Sequence, residues 1–82
     1  MFTVYVLRNA AGTLYTGQTR DLQRRLAEHQ AGAARWTRGR GPWELVLAEE
    51  FATRAEAMRR ERQLKSGRLH QVLRSRLGQD RR

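Results

Sequence analysis

Tyr5, Tyr15, Gly17, Arg25 and His29 form a spaced set in the first third of the chain. The two phenols fall in what read as adjacent strands of a hairpin. The guanidinium and the imidazole follow on a helix, one turn apart. A guanidinium matches phosphate oxygens in charge and in planar geometry. A phenol or an imidazole can hold or move the proton of an attacking water. Brought together in a basic domain, these groups would suit cleavage of a phosphodiester.

The elements that must bring them together can be read in order. Phe2 to Arg8 is a β-rich run, with Val4 and Val6 on one face and Thr3, Tyr5 and Leu7 on the other. Asn9-Ala10-Ala11-Gly12 reads as a turn and Thr13 to Gln18 as the second strand, so the pair is an antiparallel hairpin. A register with Tyr5 opposite Tyr15 would put both rings on one face. Gly17 lies inside that strand, where glycine marks close approach of another backbone or a ligand.

Asp21 is placed to cap a helix that runs to about Ala31 and stops at Gly32. Leu22, Arg25, Leu26 and His29 follow i, i+3, i+4, i+7 and share the face turned to the sheet. Arg24 and Glu28 read as ordinary surface charges. On its own this helix fits two readings equally: a site, or an arginine snorkelling to water beside a histidine bordering the core.

A loop from Ala33 to Pro42 carries Arg35, Trp36, Arg38 and Arg40 among glycines. Its arginines suit phosphate contacts, and Trp36 suits stacking on an exposed base. Trp43 to Phe51 is the third strand, with Trp43, Leu45 and Leu47 alternating against Glu44, Val46 and Ala48. Thr53 and Glu56 make a capping box that starts a second helix, ending near Ser66-Gly67. Leu69, Val72, Leu73 and Leu77 form the stripe of a last helix. The expected order is β-β-α-β-α-α: a small α+β domain over residues 1–77, with a three-stranded antiparallel sheet flanked by helices. Residues 78–82 read as a basic tail.

Glu61 is a further polar residue at a core-like position. It lies on the stripe of Ala57, Met58 and Leu64, read as the inward face of the second helix. A carboxylate there is costly unless paired or bound to a cation. A salt bridge to a nearby arginine, Arg25 among them, is the competing reading.

Composition narrows the classes. At 82 residues the chain has room for one domain with a modest core. With no cysteine, disulfides and thiolate metal sites are excluded. There is no apolar run of ~20 residues and no signal-peptide pattern, so a soluble cytoplasmic protein is expected. The formal net charge of +9 favours a polyanionic partner, nucleic acid among them, held in part by a salt-dependent attraction. Every basic residue except Lys65 is arginine, a bias that a GC-rich genome would also produce.

The residue set resembles the GIY-YIG nuclease family. Thr3-Val4-Tyr5 stands for the first triplet and Tyr15-Thr16-Gly17 for the second, with Arg25 as the family arginine and His29 at the histidine or tyrosine position. Thr3 replaces the first glycine, and Gln18 stands where repair-type members carry a lysine. The stretches around Tyr15–Gly17, Asp21–His29 and Thr37–Val46 are similar to the small stand-alone bacterial branch. They also resemble the nuclease domain of SLX-type structure-specific endonucleases.

The resemblance implies hydrolysis of DNA with one divalent ion, Mg²⁺ or Mn²⁺, held by Glu61, and Arg25 stabilising developing charge. Tyr15 is the preferred group to position or deprotonate the water, with Tyr5 or His29 able to share that role. Branched or damaged DNA is the expected substrate class. Two other expectations stand beside it: a non-catalytic nucleic-acid-binding module, and a nuclease subunit whose protein partner supplies substrate choice.

Overall fold

The computed structural model describes residues 1–33, 37–69, 71 and 73. Its elements are β1 (Phe2–Asn9), β2 (Leu14–Thr19), α1 (Leu22–Gln30), β3 (Trp43–Phe51) and α2 (Arg54–Gln63). The strands form one antiparallel sheet in the order β2-β1-β3. The fold is α+β, as the hydrophobic patterning implies. β1 is central, and Thr3 through Leu7 are all buried. Its alternation therefore feeds two cores, one on each face.

On one face Val4, Val6 and Leu47 pack with Ala57, Leu64, Leu69 and Leu73, so α2 and the segment after it cover that side. On the other, Tyr5, Leu7 and Trp43 pack with Tyr15, Leu22 and Leu26 of α1. The helix starts are local. Asp21 Oδ1 accepts from the Arg24 amide at 3.1 Å. Thr53 Oγ1 accepts from the Glu56 amide at 3.2 Å, while the Glu56 carboxylate returns a bond to the Thr53 amide.

The hairpin register differs from the expected one. Tyr5 faces Gly17, and Tyr15 faces Leu7. The cause is the turn. The Gly12 amide donates to the Asn9 carbonyl at 3.0 Å and the Asn9 amide to the Thr13 carbonyl at 3.1 Å, leaving Ala10, Ala11 and Gly12 as the loop. Gly12 takes φ +85°, as the last residue of a three-residue hairpin loop requires. Asn9 Oδ1 also accepts from the Thr13 amide at 2.8 Å. The displacement is two residues, so the tyrosines keep a common face.

Two further expectations are corrected. A β-bulge between Val6 and Leu7 breaks the alternation of β3. Trp43 then packs toward α1 and Leu47 toward α2, while Leu45 is exposed. On α2, Met58 is exposed and Ala57 is buried, with the buried Leu64 capping the helix's C-terminal end. After α2 the chain leaves helical geometry at Ser66 and at Gly67, where φ is +97°. The described residues beyond, Leu69, Gln71 and Leu73, are helical. Val72, Leu77 and the 78–82 tail lie outside the described residues, as do Arg35, Trp36 and His70. Among the described residues no helix is long and apolar enough to cross a membrane.

Candidate active site

The site is built on the α1 face of β1 and β2. Tyr5 and Gly17 are cross-strand partners, and Tyr15 lies two residues along the edge strand. The helical spacing of α1 brings Arg25 and His29 over them. The ring centroids lie 6.2 Å apart for Tyr5 and Tyr15, 5.7 Å for Tyr5 and His29, and 5.0 Å for Tyr15 and His29. His29 is buried and Tyr15 half-buried. Four of the five expected catalytic side chains are therefore one cluster.

Gly17 explains itself through Tyr5. A Cβ at Gly17 would stand 2.8 Å from the Tyr5 hydroxyl oxygen and 2.9 Å from Cζ, inside any tolerable contact. The close approach that glycine permits is that of the phenol itself. Gly17→Ala should cost about 1–3 kcal/mol, the range for overpacking a filled core, because the Tyr5 ring is fully buried. Urea denaturation checks this; an unchanged midpoint would mean the ring has room to move.

The polar atoms form a chain. Tyr5 Oη lies 2.9 Å from His29 Nε2, and Arg25 Nε donates to the same oxygen at 3.4 Å. His29 Nδ1 lies 2.7 Å from Thr37 Oγ1. The Tyr15 phenol interacts with both Tyr5 and Arg25. Arg25 Nη1 also donates to Glu28 Oε1 at 2.8 Å. Glu28, expected to be an ordinary surface charge, instead orients the guanidinium.

Electrostatics assign the protons. Burial pushes the Tyr5 phenol up to about 12, only partly offset by Arg25, so Tyr5 is a neutral phenol. Glu28 and Tyr5 raise Arg25 above its already high value, so the guanidinium is permanently charged. The Arg25 guanidinium holds the Glu28 carboxyl below the usual carboxylate range. Burial, then the Arg25 charge, lowers His29, which is neutral near pH 7.

This has a consequence for stability. The folded imidazole resists the proton that an unfolded one takes up at about pH 6.5. The unfolded state then binds more protons below that pH, so the contribution is present above about 6.5 and is lost as pH falls. An NMR titration of the His29 ring should show it neutral below pH 6.5. Titration at or above the free value would contradict the burial.

Glu61 stands apart from this cluster. Its Oε1 accepts from Gln18 Nε2 at 3.0 Å, and its Oε2 pairs with Lys65 Nζ at 2.8 Å. Gln18 is the cross-strand partner of Val4, so its side chain lies on the α2 face of the edge strand, opposite that of Tyr15 and Gly17. The salt bridge is thus to Lys65, not to an arginine. Among the described residues no three His, Asp or Glu side chains gather as a metal cage. A single carboxylate still suits a small hard cation, which keeps several waters and completes its shell with substrate phosphate oxygens.

The loop after α1 is stapled to the sheet. Gln30 Nε2 donates to the Trp43 carbonyl at 2.6 Å, and its Oε1 accepts from the Trp43 amide at 3.1 Å. Trp43 Nε1 donates to the Thr37 carbonyl at 3.1 Å. Arg38 Nε donates to the Gly32 carbonyl at 2.8 Å, while Asn9 Nδ2 donates to the Arg40 carbonyl at 3.0 Å. Both arginines are exposed.

Glu28 and Thr37 join the cluster, and Gln18 and Lys65 hold Glu61, without having been singled out for it. Helical spacing could have found two of them: Glu28 at i+3 from Arg25 and Lys65 at i+4 from Glu61. Strand parity could have found Gln18. Nothing in the sequence marks Thr37.

The chain is similar to a UPF0213 protein of Natronomonas pharaonis, 55% identical over 77% of this chain and 75% of that one. A UPF0213 protein of Halobacterium salinarum is 53% identical over 79% and 86% of the two chains. Among solved structures, the solution NMR structure of a UPF0213 protein from Bacillus halodurans has a TM-score of 0.56 and 43% identity. That match covers 92% of this chain and 84% of the other. Residues 1–71 match the family model described as the GIY-YIG catalytic domain. That span holds both strands of the hairpin, α1 and Glu61, and a match over it makes this chain a member of the GIY-YIG family, whose general function is of the nuclease type.

Proposed function

We propose that the domain is an endonuclease that hydrolyses DNA phosphodiester bonds with one divalent ion, Mg²⁺ or Mn²⁺, acting in the cytoplasm on branched or damaged DNA. The observation that carries this reading is the Arg25 guanidinium. It is held by Glu28 and Tyr5 and touches Tyr15, yet it has five N–H donors, more than these partners use. It is a preoriented fork beside a half-buried phenol, the arrangement a phosphate and an attacking water need.

Each side chain then has a task. Arg25 takes a phosphate oxygen and stabilises charge as it develops there. Tyr5 is buried and protonated, so it orients rather than deprotonates. Tyr15, half-buried on the edge strand, is the phenol that faces the substrate and positions the water or takes its proton. His29, neutral and buried, holds Tyr5. Glu61 is the carboxylate that would hold the metal, with its bond to Lys65 exchanged for the ion. Lewis-acid stabilisation of the leaving oxygen is the chemistry such an ion would supply when held there. Arg35, Trp36, Arg38 and Arg40 are proposed to extend the contact along the nucleic-acid backbone, and Gly17 to keep Tyr5 in place beneath it.

The test is cleavage of single-stranded, duplex, flap and junction DNAs, with and without Mg²⁺. Activity on one class that needs the ion and falls with Tyr15→Phe supports the reading. Salt-dependent binding without cleavage on any substrate would replace it with a binding module. Cleavage that appears only after a copurifying protein is added would make the domain a partner-dependent subunit.

A further inference from the structure

Lys65 is the only lysine in a chain whose other cationic side chains are arginine. It stands where α2 ends: Leu64 caps the helix, and the chain leaves helical geometry at Ser66 and Gly67. Its ammonium holds Glu61 Oε2 at 2.8 Å, while Gln18 Nε2 holds Oε1 at 3.0 Å. Each carboxylate oxygen has a partner, so an arriving cation meets one on either side.

The two partners respond differently to a cation. Gln18 is neutral and half-buried on the edge strand, so its amide can stay. Lys65 is exposed and charged, and a divalent ion on the same carboxylate repels it. The residue type matters here. An arginine can grip both carboxylate oxygens with its planar fork, whereas an ammonium is a point charge on a flexible stem and holds one. It is therefore the more readily exchanged partner.

A displaced ammonium has a destination. Lys65 lines a groove of about 750 Å³ between the outer strand β2 and the segment after α2. Gly12, Thr13, Tyr15 and Thr16 line it from the hairpin side, and Gly67 lies beside Lys65. A Cβ at Gly67 would meet nothing within 4 Å, so there is space next to the lysine. Among the described residues that line the groove, Lys65 carries the only charge, which suits an anion. Tyr15 belongs both to this groove and to the cluster on the α1 face, so the groove connects that cluster to the Glu61 pair.

We infer that Lys65 is an exchangeable counterion of Glu61: it holds the carboxylate in the ion-free protein, yields it to a divalent ion, and turns into the β2 groove to bind a phosphate of the nucleic-acid strand. The inference rests on the proposed metal role of Glu61 and adds a physical link between ion and substrate. The ion frees the ammonium for the phosphate, and the phosphate keeps the ammonium off the carboxylate. Each therefore strengthens binding of the other by the same factor.

NMR of the full chain tests this without turnover. Isotope-labelled lysine gives one side-chain signal, because the chain has one lysine. Mn²⁺ added without DNA should broaden the Glu61 resonances at about 2–5-fold lower concentration in Lys65→Met than in the wild type, the scale of losing an exposed ion pair. Lys65→Arg should need more Mn²⁺ than the wild type. In the wild type, Mg²⁺ should move the lysine signal to its position in Glu61→Ala, and a phosphorothioate oligodeoxynucleotide should then move it away again. An unchanged Mn²⁺ midpoint in folded Lys65→Met overturns the inference. So does a lysine signal that ignores Mg²⁺ while the Glu61 resonances respond, or one released by the ion but indifferent to the oligonucleotide. Glu61 resonances that ignore the ion with and without the oligonucleotide would remove the metal reading itself, and this inference with it.

Discussion

Arg25→Ala is expected to lower the cleavage rate by about 10²–10³, or ~3–4 kcal/mol, while the protein stays folded. The two halves of that statement have different physical sources. The side chains of Arg25 and Glu28 are 35% and 33% exposed, and such partly solvated pairs contribute at most about 1 kcal/mol to stability. Removing the guanidinium therefore costs the fold little. The rate loss is larger because the charge acts on a phosphate whose negative charge grows only in the transition state. Tyr5 also loses the Nε donor that lowers its phenol, so its proton becomes harder to remove still. Arg25→Lys should recover little, because an ammonium gathers its donors on one atom and lacks the planar fork by which Arg25 bonds Tyr5 and Glu28 through separate nitrogens. Single-turnover cleavage beside urea denaturation separates the two effects. A folded Arg25→Ala protein with wild-type turnover would remove Arg25 from the chemistry.

The half of the site that lies on α1 was legible because a helix has one period. Leu22, Arg25, Leu26 and His29 had to share a face, and Asp21 fixed where that helix began. The hairpin was legible only in part. Strand parity said that Tyr5 and Tyr15 could share a face, but which residues pair depends on turn chemistry. The Asn9 side chain and the positive φ of Gly12 set a three-residue loop, which moved the partner of Tyr5 to Gly17. A slip of one residue would have sent Tyr15 to the α2 face and dismantled the cluster. The significance of Gly17 follows from that register: its missing side chain is the space the Tyr5 phenol fills.

Other features had no local signal. The bulge opposite Val6 and Leu7 redirects Trp43 and Leu47 to different cores, and it depends on how two strands pair rather than on either sequence. Gln18 read as a missing lysine. In three dimensions its amide reaches from the edge strand to the carboxylate of Glu61 on α2, a contact between residues 43 positions apart. Thr37 is the furthest from legibility: its contact with His29 joins a helix to a loop that the Gln30–Trp43 bonds tie to the sheet.

Glu61→Ala is expected to abolish the metal-stimulated part of cleavage, a loss of at least about 10², while leaving stability within ~1 kcal/mol. Outer-shell partners of metal ligands already contribute about 10–100-fold, so a ligand should contribute more. The stability half follows from the partner. Lys65 has a side chain 56% exposed, so an ammonium deprived of Glu61 turns to water rather than remaining buried. Gln18 is half-buried at the sheet edge and can do the same with its amide. Calorimetric titration with Mn²⁺ supplies a readout free of turnover: the wild type should bind in the presence of a non-cleavable DNA analogue and Glu61→Ala should not. The DNA matters because one carboxylate gives an ion too few ligands, and the phosphate must complete its shell. Equal Mn²⁺ binding by both proteins, or undiminished cleavage by a folded Glu61→Ala variant, would assign Glu61 to the Lys65 salt bridge alone and send the search for a metal ligand elsewhere.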